Sequence, residues 1–256
     1  MSETIIAGVA CRVWAPPAAR RTLLLLHGFG GDSLSFAGLA PLLSARGWRV
    51  VAADMPGHGA TLHAADEFAA LLPPLLGLLA ALGAAPVTLA GHSLGGAVAT
   101  RLAVAAPARV AQVTLLAPGG LGPIADPGFL RRVAAISSGA ELRALLAHVA
   151  QRPPVIPADQ LEQLAALLGP RRRLRGLAES LAAGLDITTD LARLAMPARV
   201  LLGLEDRVLA WTQARTVPPR IAVHLLPDAG HSLHWDQPEL VAGLIGAPPG
   251  ADQDGA

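Results

Sequence analysis

Apolar residues along this chain fall into short unbroken runs separated by longer stretches with helical spacing. Leu23–Leu26 is a four-residue run ending at His27-Gly28, and Trp48–Ala53, Val87–Ala90, Val113–Leu116, Arg199–Leu202 and Ala222–Leu225 are similar. Runs this short, with little polar alternation, read as strands buried on both faces. Leu34–Ala45, Asp66–Leu82 and Ser93–Ala105 read as helices, and Pro238–Ile245 as a last short one. Gly47 stops the first, and a turn at Gly83–Pro86 follows the second. Thr4–Trp14 reads as one edge strand. Strands alternating with helices predict an α/β fold with a parallel sheet covered on both faces.

The alternation pauses between Pro118 and Leu194. No strand pattern occurs there, and Phe129–Val149 and Ala158–Leu185 read as helices rich in Leu, Ala and Arg. The expected organisation is a core of residues 1–117 and 195–247, a helical lid over 118–194, and a flexible tail at 248–256. Such an insertion lies over the carboxyl ends of the strands, where sites in these sheets are found. Gly119-Gly120-Leu121-Gly122 at its start reads equally as a hinge or as an irregular loop. No repeat and no linker divides the chain.

Composition narrows the chemistry. The 256 residues are 52% apolar and 15% charged, with a formal charge of +1, which excludes a broad basic surface for nucleic acid. All 20 basic residues are Arg; Lys, Tyr and Asn are absent, and Cys11 is the single cysteine. Without Lys there is no phosphate-binding GxxxxGK[ST] loop, no Schiff-base lysine and no lipoyl attachment site. Without Tyr a Tyr/Lys dehydrogenase pair is impossible. One cysteine makes neither an internal disulfide nor a multi-cysteine zinc site, and Cys11 reads as a buried strand residue. Residues 68–100 carry no charge, but Pro73-Pro74, Gly77, Gly83, Pro86 and Gly91 interrupt them, so they do not read as a membrane span. The apolar stretch Ile5–Ala10 is too short for a signal-peptide core, and a cytoplasmic location is expected. Neither a membrane nor a nucleic-acid partner is expected, and the pattern leaves the oligomeric state open.

Gly91-His92-Ser93-Leu94-Gly95 is a Gly-x-Ser-x-Gly sequence that follows one predicted strand and opens a helix, the setting in which it forms a nucleophile elbow. A serine hydroxyl needs a base. In the order Ser, acid, His, three histidines follow a suitable acid: His224, His231 and His234. His224 lies inside a strand pattern, whereas His231 lies on a loop after the last strand, in Asp228-Ala-Gly-His-Ser. The acid belongs on the loop after Arg199–Leu202, where Glu205 and Asp206 are both available and Asp206 is favoured. Oxyanion donors are expected from the backbone N–H of Leu94 and from that of Phe29 in His27-Gly-Phe-Gly-Gly31. The latter loop superficially matches a dinucleotide fingerprint, but Ser33 stands where the third glycine belongs.

These pieces resemble the α/β-hydrolase superfamily: HGFGGD (27–32), DMPGHG (54–59), GHSLGG (91–96), GLED (203–206) and AGHS (229–232) stand in family order. The resemblance implies Ser93 as nucleophile, His231 as base and Asp206 as acid, on a mostly parallel sheet with a helical lid inserted after the sixth strand. A closer resemblance is to the hydrolase-like C-terminal part of the acetoin dehydrogenase dihydrolipoamide acetyltransferase component. It is carried by 115–130, 171–177 and 197–239. Those proteins bear a lipoyl domain with a modified lysine, and this sequence has no Lys.

The expected function is a serine hydrolase cleaving an ester or thioester of a small acyl substrate, with no metal and no cofactor. The alternatives are an acyltransferase using CoA or a carrier-bound acyl group, a carbon–carbon bond hydrolase, and a non-catalytic binding protein. The candidate substrate-binding residues are His27, His92, Arg171 and Arg172. The last two belong to a cluster with Arg173 and Arg175 that reads either as a solvated face or as a handle for an anion. His58 and Trp211 could line the site, but turn and packing roles fit them better.

Overall fold

The computed structural model of the protein describes residues 1–126, 128–168 and 172–247. The apolar runs form one sheet of β1 (Ser2–Ile6), β2 (Val9–Trp14), β3 (Arg21–Leu26), β4 (Trp48–Ala53), β5 (Val87–His92), β6 (Val110–Leu116), β7 (Ala198–Gly203) and β8 (Ala222–Leu226). The spatial order is β1-β2-β4-β3-β5-β6-β7-β8. β2 pairs antiparallel with β1 and β4, and every other neighbouring pair is parallel.

Side chains alternate across a strand, so each apolar run feeds two cores. Leu24 and Leu26 pack with Val51, Leu89 and Val200 against α2 (Leu72–Ala81) and α3 (Leu94–Ala105). Leu23 and Leu25 face the other way, with Val50, Ala52 and Leu201, against α1 (Leu39–Ala45) and α10 (Pro238–Gly246). Each fully buried leucine is worth about 1.5–3 kcal/mol relative to exposure. The sheet covered by helices on both faces agrees with the expectation from the runs.

Several boundaries differ from the expected ones. Thr4–Trp14 is a hairpin rather than one strand: Ala7 (φ +49°) and Gly8 (φ +81°) reverse the chain between β1 and β2. Two successive left-handed residues make the tight turn that suits strand twist; Ala-Gly carries a weaker signal for it than Asn-Gly. The expected helix over 34–45 is a 3-10 turn, Ser33–Phe36, followed by α1. The expected helix over 66–82 begins as a 3-10 turn, Phe68–Leu71, before α2, whose prolines occupy the first turn, where a missing N–H breaks no helical bond.

Between β6 and β7 the chain forms α4 (Phe129–Ala135), α5 (Gly139–Val149), α6 (Ala158–Leu168), α7 (Arg172–Ala182) and α8 (Thr188–Arg193). The expected Phe129–Val149 helix breaks because the Ser138 hydroxyl caps α5 by accepting from the Glu141 amide. α5 and α6 share a small core of Ile136, Leu142, Leu161 and Ala165. Phe129, Leu130, Leu177 and Leu181 instead join the main core. Among the described residues no helix is long and apolar enough to cross a membrane. The tail at 248–256 lies outside the described residues. Because β3, β5, β7 and β8 run parallel, the loops after them gather at one edge of the sheet.

Candidate active site

β5 delivers Ser93 to that edge. Ser93 stands at φ +52°, ψ −116°, a backbone conformation that costs a non-glycine residue on the order of 1–3 kcal/mol. The turn is fixed by the Ser93 N–H bond to Leu116 O (2.9 Å) and by the Ser93 carbonyl, which accepts from Gly96 N (2.9 Å) and Gly119 N (3.0 Å). The flanking glycines are dictated by contact. A Cβ on Gly91 would lie 2.1 Å from Gly95 O, and one on Gly95 would lie 2.1 Å from Leu26 O at the end of β3. Gly-x-Ser-x-Gly is thus the spacing at which β5, the turn and α3 pass one another and β3.

Asp206 follows β7 and His231 follows β8. Asp206 Oδ2 accepts from His231 Nδ1 at 2.9 Å, and both side chains are almost wholly buried. The other carboxylate oxygen, Oδ1, accepts from the amides of Val208 (2.7 Å) and Leu209 (2.9 Å). The carboxylate is therefore fixed in place, and the imidazole, donating through Nδ1, keeps Nε2 as its basic nitrogen. Glu205, the neighbouring candidate, does different work: its Oε2 accepts from Ala229 N at 3.0 Å and ties down the histidine loop.

Two cavities meet at Ser93. One, of about 530 Å³, is bordered by Ser93, His92, His231, Phe29 and the glycines of the 28–31 loop, with walls from α4, α5 and α6. The other, of about 470 Å³, is bordered by Ser93, Leu94, Phe29, Gly119, Ile124 and Leu185. Both volumes fall in the usual range for small-molecule sites. Phe29 borders both cavities, and Leu94 is the first residue of α3, where helical amides have no partner one turn back.

The substrate-binding candidates separate. His27 is fully buried and borders neither cavity: its Nδ1 donates to Gly28 O (2.8 Å) and its Nε2 accepts from Met55 N (3.0 Å). It braces the 27–31 loop against the strand-end loop at 54–59, away from both cavities where substrate binding was expected of it. His92 does border the first cavity, but its Nε2 donates to His231 O at 3.0 Å. Burial first, then the nearby His234 and His231, push its pKa well below the ordinary histidine value. Arg171 lies outside the described residues, as does the side chain of Arg172. Arg175 is exposed. His58 is buried, and neither it nor Trp211 borders either cavity. Cys11 is buried, and desolvation pushes its thiol up to about 12, out of reach of ordinary thiolate chemistry.

Two residues around the site were not singled out by the sequence pattern, and a third, His234, entered only as one of the histidines that follow a suitable acid. Asp236 accepts from Gly230 N (2.8 Å) and from Arg152 N (2.6 Å), linking the histidine loop to the end of α5. Arg152 itself borders the larger cavity. His234 lies in the short helix α9 (Leu233–Asp236) and borders the same cavity. Among the described residues no group of three His, Cys, Asp or Glu side chains is placed to hold a metal ion.

The sequence pattern of the alpha/beta hydrolase family matches residues 23–244. The chain belongs to that family. Among curated relatives of this chain, the dihydrolipoyllysine-residue acetyltransferase component of the acetoin cleaving system of Pseudomonas putida is 34% identical over 226 residues. The match covers 86% of this chain and 60% of that protein. The corresponding component of Cupriavidus necator is 30% identical over 246 residues, covering 88% of this chain and 63% of that protein. The chain thus spans about three fifths of the length of these relatives. Two solved structures share the hydrolase fold at 22% identity. A membrane phospholipase A described as a bacterial virulence factor aligns with TM-score 0.83 over 95% of this chain and 83% of its own. The 2-hydroxy-6-oxo-6-phenylhexa-2,4-dienoate hydrolase of Rhodococcus sp. strain RHA1 aligns with TM-score 0.81 over 95% and 96%.

Proposed function

We propose that this hydrolase-family chain is a serine hydrolase that cleaves an ester or thioester through an acyl-enzyme. The observation that carries the reading is a serine held at a strained apex between two cavities, one of which also contains a histidine oriented by a buried carboxylate. Ser93 Oγ attacks the acyl carbon as His231 Nε2 takes its proton. Asp206 holds the imidazole in the required tautomer and favours the imidazolium. The Phe29 and Leu94 amides receive the oxyanion, and one such donor is worth about 2.7–4 kcal/mol in the transition state. Collapse breaks the bond to the alcohol or thiol, which leaves with the proton from His231. Water, deprotonated by the same nitrogen, then releases the acid and restores Ser93.

That sequence assigns the cavities. The group that departs must receive a proton from His231, so it occupies the larger cavity, which His231 borders. The acyl group takes the cavity beside Leu94, whose bordering residues carry no charge. Helices α4–α6, which wall the larger cavity, act as the lid over it. Ser93→Ala is expected to abolish both labelling by a fluorophosphonate probe and hydrolysis of p-nitrophenyl butyrate. A wild-type protein that neither labels nor turns over would overturn the reading.

The acetyltransferase relatives favour a second outcome of the same acyl-enzyme, its capture by a thiol instead of water. Supplying dihydrolipoamide or CoA with an acyl thioester, and measuring the ratio of transfer to hydrolysis, separates the two.

A further inference from the structure

His234 is 1% exposed, and neither of its ring nitrogens has a hydrogen-bond partner. The ring packs 4.7 Å from His92, 5.2 Å from Phe36 and 5.5 Å from Trp235, between ring centroids. The Ser35 backbone lies close enough to favour the protonated ring, the weakest of the influences on it, and its carbonyl already accepts from Trp235 Nε1 at 2.7 Å. A buried polar group without a partner is costly, and each one calls for a cause. Here the cause is in view, because the ring borders the cavity that also holds Ser93 and His231. Much of the rest of that wall is hydrocarbon, from Phe129, Leu145, Leu146, Val149 and Ile156. Burial, and then the proximity of His231, push the His234 pKa down to about 3. A neutral imidazole keeps one N–H donor and one acceptor and offers no charge to an anion.

We propose that His234 is the specificity-determining residue of the leaving-group cavity, where it hydrogen-bonds a hydroxyl or ether oxygen on the alcohol portion of an uncharged ester. The inference rests on the serine-hydrolase reading and on its assignment of the cavities. A purely hydrocarbon alcohol leaves the imidazole unpaired, and the neutral ring itself gives an ionic head group no countercharge; Arg152 and Asp32 stand elsewhere on the wall. The preferred substrate class is therefore an apolar acyl ester of an alcohol that carries a second, neutral oxygen.

2-Hydroxyethyl butyrate and propyl butyrate differ by a hydroxyl in place of a methyl at the end of the alcohol. Their kcat/KM values, each corrected for its hydroxide-catalysed rate, read the contact directly. Wild-type protein is expected to favour the hydroxyl ester by about tenfold, the ratio from one net hydrogen bond. His234→Phe is expected to bring the ratio to about one, and His234→Gln, which keeps a donor and an acceptor, to retain several-fold preference. A wild-type ratio of one or less overturns the proposal and leaves the nitrogens to an ordered water. So does a preference that persists in His234→Phe. If that variant does not fold, the wild-type ratio and His234→Gln decide. Probe labelling and p-nitrophenyl butyrate turnover are followed in parallel. A flat ratio in a protein that labels sinks only this inference, whereas failure to label or turn over removes the reading beneath it.

Discussion

Glu205 and Asp206 are adjacent carboxylates with different partners. Asp206 meets His231 Nδ1 and two backbone amides, while Glu205 meets the Ala229 amide. In the proposed mechanism only the first orients the base. Asp206→Asn preserves size but places an amide N–H or a weaker acceptor against the imidazole, which selects the wrong tautomer. The expected loss is about 10²–10⁴ in kcat for p-nitrophenyl butyrate. Glu205→Gln keeps an acceptor for Ala229 N, and its kcat should stay within a few-fold of wild type. Steady-state kinetics on both variants check this; equal losses would mean that the assignment of the acid is wrong. The sequence alone left both carboxylates available, because adjacent residues on one loop share the same local pattern. The two glycines around Ser93, by contrast, were legible. Their spacing is set locally by one strand, one turn and one helix, although the contact that forbids a side chain at Gly95 comes from Leu26 O at the end of β3.

The element that holds the base is the loop between β8 and α9, and it is tied to α5 as much as to the sheet. Asp236 bonds Gly230 N on one side and Arg152 N on the other, and Ser232 N donates to Val149 O at 2.7 Å. Hydrogen bonds to a buried carboxylate contribute about 1.5–3 kcal/mol each. Asp236→Ala breaks two of them and frees the His231 backbone. Expected outcomes are a stability loss of about 2–4 kcal/mol in urea unfolding and a fall in kcat at least tenfold larger than the change in KM. Unchanged kcat with lost stability would show that the clamp serves folding alone. None of this was legible from the sequence. Asp236 and Arg152 lie 84 residues apart, and His92 and His231 lie 139 apart. Strands were legible because burial on both faces leaves a dense local apolar run. Helix breaks at Ser138 and the Ala7-Gly8 reversal were not, since each turns on one cap or one pair of dihedral angles.

At the scale of the whole molecule, the histidines tie acid stability to the site. His92 ends β5 and packs against both His231 and His234, the latter in α9. Burial keeps the first two neutral in the folded protein, with neighbouring histidines reinforcing the effect; His27 adds to it at His92. In the unfolded chain each takes up a proton near the ordinary histidine pKa of about 6.5. Below that value the unfolded state binds more protons than the folded one, so stability falls as pH falls. For His234 the window runs from about 6.5 down to about 3. Asp126, held low by Arg132, and Asp186, held low by Thr188, add their own losses only in the carboxylate range below about pH 4.5. Between pH 6 and 4.5 the decline therefore belongs chiefly to histidine. Urea unfolding across that interval should show a slope of about 1 kcal/mol per pH unit for each buried neutral ring. His234→Phe removes one ring from the titration, so its slope should be shallower by that amount whatever its absolute stability. An identical slope in wild type and variant would mean that His234 is protonated within the fold at these pH values. That result would also remove the neutral donor–acceptor character that its contact with substrate requires.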